Sequence, residues 1–168
     1  MTRFVAVVDV PAPVQDVWDR ITDWPSHGRW VPLTAVRVTT PLAAGVGARF
    51  VGRSSLARVG LDRIGFDDTM EITTWLPPTD GLPGRCGIRK LGRLVRGSAA
   101  FDVVAVPGAG ARPLTRVLWE GDLDLPPRPL MRLLAPLVAL AGRLAYGAAL
   151  RSMARELTRE QAQEQGPA

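Results

Sequence analysis

Asparagine is absent from the 168 residues, and cysteine, histidine, lysine and tyrosine each occur once, as Cys86, His27, Lys90 and Tyr146. A lone cysteine excludes an intramolecular disulfide framework and a cysteine-rich zinc site. A lone histidine excludes His-rich metal sites, so no metal and no other cofactor is expected. There is no phosphate-binding glycine loop, no nucleophile elbow and no zinc-protease helix motif. Gly45-Val46-Gly47 and Gly108-Ala109-Gly110 read as turns. Met1-Thr2-Arg3 leads into a short alternating segment instead of a long apolar run, so no signal peptide is expected and the expected location is the cytoplasm.

Arginine is what the chain has in excess. It supplies 20 of the 21 basic residues, against 16 acidic ones, for a formal charge of +5. A nucleic-acid binder gathers its basic residues on one face beside stacking aromatics. Here arginine is spread from Arg3 to Arg159, and residues with AT-rich codons are depleted together. The basic balance therefore reads as the mark of a GC-rich, bacterial genome, and no nucleic-acid partner is expected. With 46% apolar and 22% charged residues the chain has the composition of one globular domain, placed at 1–160 with a frayed tail at 161–168.

Periodicity orders the elements. Residues 4–10 are β-branched and short, which predicts a strand ended by Pro11-Ala12-Pro13. Val14, Val17, Trp18 and Ile21 then recur at helical spacing up to about Trp24, and Pro25 stops that helix before a short helical turn or loop. Six strand candidates follow near 34–40, 47–55, 65–76, 85–96, 98–106 and 114–125, with no segment between them able to serve as a crossover helix. An antiparallel sheet with one wet and one dry side is expected. Alternation puts Arg85, Arg89 and Arg93 opposite Cys86, Ile88 and Lys90, and puts Phe66, Met70, Ile72, Thr74 and Leu76 opposite Glu71 and Trp75. A bulge would reverse such assignments locally. From Leu130 a wide apolar stripe through Leu133, Leu134, Leu137, Val138, Ala141, Leu144, Ala145, Ala148 and Met153 predicts a long core helix, kinked or restarted at Pro136. Arg132, Arg143 and Pro136 argue against a transmembrane span there.

This order resembles the SRPBCC (START-like) superfamily, in its polyketide cyclase/dehydrase and lipid-transport branch. The resemblance is carried by Asp9-Val10-Pro11-Ala12-Pro13 with Val17-Trp18, Ile21, Asp23-Trp24-Pro25 and Trp30. It continues in the run from Glu71 to Pro78 and in that from Thr115 to Leu123. It implies an α+β helix-grip fold, a curved seven-stranded antiparallel sheet wrapped around a long C-terminal helix with two short helices after the first strand. It also implies a cavity for lipids, polyketides or other aromatic or isoprenoid-like ligands. Such a fold hosts both carriers and enzymes, so it does not decide between them.

Few side chains are available for chemistry. His27, between Trp24 and Trp30, is a candidate acid/base or a donor to a ligand carbonyl, and its plainer reading is an exposed loop histidine. Lys90 shares a face with Ile88, where its ammonium could anchor a carboxylate or enolate. Its plainer reading is an amine that reaches water. Asp68 falls on the apolar side of its strand and could pair with Lys90, although the simpler account starts the strand after it. Cys86 reads as a buried apolar residue. Trp24, Trp30, Phe50, Met70, Ile72, Ile88, Val117 and Trp119, with Tyr146 reaching down from the helix, are the candidate walls of a ligand site. The arginine series reads as a solvated sheet face neutralised by neighbouring carboxylates.

Three functions fit these residues. The leading one is sequestration of a hydrophobic small molecule. A polyketide cyclase/aromatase-like enzyme using His27 or Lys90 is the alternative, and a peripheral membrane or protein-interaction domain using the arginine-rich face is the third.

Overall fold

In the computed structural model, residues 2–31, 34–56, 61–79, 81–92, 96–107, 112–124 and 129–164 are described. Strand β1 (Thr2–Val10) leads through Pro11-Ala12-Pro13 into helix α1 (Val14–Thr22), a 3-10 turn (Trp24–Ser26) and the one-turn helix α2 (His27–Trp30). Six strands follow: β2 (Thr34–Val38), β3 (Arg49–Leu56), β4 (Leu61–Leu76), β5 (Gly84–Leu91), β6 (Arg96–Ala105) and β7 (Thr115–Leu123). Helix α3 (Pro129–Glu164) ends the chain. All seven strands form one antiparallel sheet in the order β1-β7-β6-β5-β4-β3-β2. Each of β2 to β7 pairs with its sequence neighbour, so short turns suffice, and only β1 pairs across the chain, with β7.

Alternation decides which face is dry. On β5 the burial pattern puts Gly84, Cys86, Ile88 and Lys90 inside and Arg85 and Arg89 outside, as expected. On β4 the expected alternation fails beyond Ile72, because the pairing with β5 slips between Ile72 and Thr74. That bulge turns Trp75 inward, where its ring meets Trp18 at 5.1 Å, and leaves Leu76 56% exposed. Gly45 and Gly47 form the β2–β3 turn with φ of 94° and 87°, backbone that a side chain would strain.

The outer face carries cross-strand ion pairs: Arg49 and Arg89 with Glu71, Arg85 with Asp102, Arg3 with Glu120, Arg53 with Asp67, and Arg116 with Asp9. Bonds from Arg49 and Arg89 lower the Glu71 pKa, and the Arg116 bond does the same for Asp9. Arg93 and the turn expected at Gly108–Gly110 lie outside the described residues.

Helix α3 runs through Pro136 as one helix, without the restart that is one of the two expectations there. It departs from the expected core helix in two ways. It stays helical to Glu164, into the stretch expected to fray, because Arg20 of α1 pairs with Glu156 and Glu160 and because Gln161 donates to Asp16. Only its C-terminal half enters the core, through Ala149, Leu150, Met153 and Leu157, while Leu133, Leu137, Ala141, Leu144, Ala145 and Ala148 of the predicted stripe are exposed. Leucines satisfy a helical period on whichever face they fall, and here the docking face is the opposite one.

Candidate functional site

The dry face of the sheet is lined unevenly. Cys86, Phe101 and Val103 fill the α1 end, whereas Ala99 and Gly121 leave room under the N-terminal half of α3. The ring of Phe4 occupies that room. A Cβ at Gly142 of α3 would come 2.5 Å from it, and one at Gly121 of β7 would overlap the same ring. Phe4 therefore sets how closely α3 approaches the sheet. Its ring meets that of Tyr146 edge-on at 4.9 Å, and Tyr146 packs 4.4 Å from Trp119.

Lys90 and Asp68 form an ion pair on this face, with side chains only 7% and 13% exposed. Both plainer readings are thereby corrected: the Lys90 side chain is buried against a carboxylate, and Asp68 lies inside β4, which begins at Leu61. Lys90 stands opposite Met70 in the register, and its Nζ lies 3.8 Å from the Met70 sulfur. Pairing does not satisfy every polar atom. Asp68 Oδ1 and Trp119 Nε1 are buried without a hydrogen-bond partner, which for a group sealed from water costs about 1–3 kcal/mol each. The ring of Tyr146 packs on Trp119, and the charges of Lys90 and Asp68 act on its phenol. Burial raises the Tyr146 pKa, so the phenol remains a neutral donor.

His27 is not the exposed loop residue of its plainer reading. It is 6% exposed, and its ring lies 4.1 Å from Trp30, 5.3 Å from Trp24 and 6.4 Å from Trp119. Its Nε2 donates to the Ile21 carbonyl at 2.9 Å, which ties α2 to the end of α1. Burial pulls its pKa down to about 4, so the ring is neutral near pH 7.

The predicted wall residues fall into three places. Met70, Ile72 and Ile88 adjoin Lys90 on the dry face, and Trp119 and Tyr146 pack on each other farther along it. Trp24, Phe50 and Trp30 form a second group at the β2–β3 side, where Trp24 stacks on Phe50 at 4.2 Å and donates from Nε1 to the Ala43 carbonyl at 2.8 Å. Trp30 connects the groups by lying 6.2 Å from Trp119. Val117 is paired with Val8 and Val103, about 20 Å along β7 from the residue in the Lys90 row. Phe4 and the small residues facing it escaped sequence reasoning, because a phenylalanine in a β-branched strand looks like ordinary core.

Cys86 is fully buried, and its thiol pKa is pushed up to about 12 by burial, which makes it inert near neutrality. Among the described residues no group of three or more His, Cys, Asp or Glu is placed to hold a metal ion.

No functionally curated protein matches the chain in sequence. Solved structures match its fold over nearly the whole length. A protein of Thermus thermophilus superposes with a TM-score of 0.67 at 14% identity, covering 94% of this chain and 98% of its own. The Zhui aromatase/cyclase of Streptomyces sp. R1128 gives 0.62 at 14% identity, covering 94% and 93%. A Thermobifida fusca protein gives 0.60 at 20% identity and 95% of each. At these identities the likeness establishes the helix-grip fold alone. The family model for polyketide cyclase/dehydrase and lipid transport matches residues 1–158. A match of that extent, on a seven-stranded sheet gripping a long C-terminal helix, places the chain in the polyketide cyclase/dehydrase and lipid transport family.

Proposed function

We propose that the protein binds a hydrophobic small molecule between the sheet and the N-terminal half of α3, with the polar end of the ligand against Lys90, Asp68 and Trp119. The observation that carries this reading is the buried Lys90–Asp68 ion pair whose Asp68 Oδ1 has no hydrogen-bond partner, on the same dry face as Trp119 Nε1, which has none either. A ligand offering an acceptor to Trp119 Nε1 and a donor to Asp68 Oδ1 relieves both penalties. The apolar remainder of the ligand gains about 25 cal/mol for each Å2 it buries. Phe4 and Tyr146 are the rings such a ligand displaces, and Gly121 and Gly142 hold Phe4 between them without side chains of their own.

Binding is favoured over cyclase-like turnover by the state of the two catalytic candidates. The Nε2 of His27 is committed to a backbone carbonyl, and burial leaves the ring a weak base. Lys90 is committed to Asp68. General acid or base work needs such a group free to reach the substrate.

Anilinonaphthalene sulfonate, an aromatic anion whose fluorescence rises in apolar sites, tests the reading. The folded protein should take it up, and Trp119→Phe and Lys90→Met should each weaken uptake several-fold. No uptake, or equal uptake by both variants in their folded state, would overturn it.

A further inference from the structure

We propose that the solvent face of the N-terminal half of α3 docks onto an anionic lipid surface. Leu133, Leu137, Leu140 and Leu144 are 76%, 62%, 53% and 58% exposed. At 3.6 residues per turn they lie within about 60° of one another, as a stripe about 17 Å long. The solvent face of a helix in a globular protein is ordinarily polar. Here Ala141, Ala145 and Ala148 widen the apolar face, and only 17% of the most apolar 18-residue stretch of α3 is buried.

Charge selects the occupant. No acidic residue occurs between Asp124 and Glu156, a run that holds five arginines. Beyond Leu144 the same wedge of α3 continues as exposed Arg151 and Arg155, and exposed Arg143 flanks the leucines. A second copy laid on this face would bring two arginine-bearing, acid-free surfaces together with no carboxylate between them. The leucine stripe carries no hydrogen-bonding side chain, so it offers no directional recognition of a protein partner. An apolar stripe with cations at its side and end is the pattern of a helix lying in a membrane interface, its leucines about 5–10 Å into the acyl boundary and its guanidiniums at the headgroups.

The mode is peripheral. Helix α3 is long and apolar enough to cross a bilayer, but Ala149, Leu150, Met153 and Leu157 on its other face are buried in the protein core, and Tyr146 packs against Phe4 and Trp119. The sheet arginines do not compete for this role, since Arg85, Arg89 and Arg116 are paired with carboxylates of their own sheet. The inference stands on the exposed face of α3 and does not depend on a ligand beneath it.

Co-sedimentation of the whole protein with vesicles tests it. Phosphatidylcholine vesicles containing phosphatidylglycerol should bind the protein, and phosphatidylcholine alone should bind it at least tenfold less. High salt should weaken binding. The triple variant Leu137→Gln, Leu140→Gln, Leu144→Gln should lose at least tenfold while keeping its thermal midpoint, because these side chains are exposed. The pair Arg151→Gln, Arg155→Gln should lose several-fold. Absence of binding to the anionic vesicles overturns the proposal, as does binding that the leucine variant retains. A dimer in light scattering that the leucine variant dissolves, with no vesicle binding, would assign the face to a second copy instead.

Discussion

Lys90 and Asp68 show how a single register position decides the fate of a charge. On the outer face each would have been one more exposed partner in a ladder of cross-strand pairs. On the inner face they are bound to each other, because an isolated buried charge costs several kcal/mol. Lys90→Met leaves Asp68 buried and unpaired and should cost about 3–5 kcal/mol in urea unfolding. Adding Asp68→Leu should recover most of that loss, and a double variant as unstable as the single one would refute the pairing. His27 makes a different prediction. Its pKa falls from 6.5 to about 4 on folding, so the unfolded chain takes up the proton first. The stability from the neutral ring is complete above pH 6.5 and drains away as the pH falls towards 4. Between about pH 7 and about pH 4.5 the loss should be about 2–3 kcal/mol. His27→Gln, which keeps a donor for the Ile21 carbonyl, should flatten that slope in urea titrations at the two pH values. The carboxylates Glu71 and Asp9, whose pKa values are lowered, lose their contribution only in more acidic solution.

Among the elements, the contact of α3 with β1 and β7 is governed by one ring and two glycines. Phe4 lies between Gly121 and Gly142, and any Cβ added at either glycine meets its edge. Gly142→Ala should therefore destabilise the fold by about 1–3 kcal/mol through overpacking. Phe4→Leu in the same chain should relieve most of the strain, which denaturant midpoints of the single and double variants will show. The bulge in β4 acts at the same scale. By admitting one extra residue before Trp75 it trades the expected burial of Leu76 for an aromatic contact with α1. The two helices that grip the sheet are in turn clamped to each other by Arg20, Glu156 and Glu160.

For the molecule as a whole, α3 divides into a half that belongs to the core and a half that presents leucines to its surroundings. Local stability follows buried apolar contact. Amide hydrogen exchange should thus be slow over Ala149–Leu157, together with the central strands, and markedly faster over Leu133–Leu144. Equal protection along the whole helix would contradict this division. The half expected to exchange faster is the half that packs over Phe4 through Gly142 and Tyr146, beneath which the proposed ligand would bind.

Composition and periodicity by themselves determined the element order, the antiparallel sheet, the wet and dry sides of β5, and the long final helix. These are local properties, written in side-chain alternation and in turn residues. The candidate site was legible in part. Trp119, Tyr146, Met70 and Lys90 stand out because the face they share can be read from alternation, or because each is rare. Tertiary structure alone decided the rest. The pairing of Lys90 with Asp68 depends on the β4–β5 register, and the surroundings of His27 bring Trp119 of β7 to a segment that already carries Trp24 and Trp30. Which leucines of α3 face water depends on how that helix docks. An apolar period gives the width of a helical stripe, and only the partner surface says whether the stripe is covered.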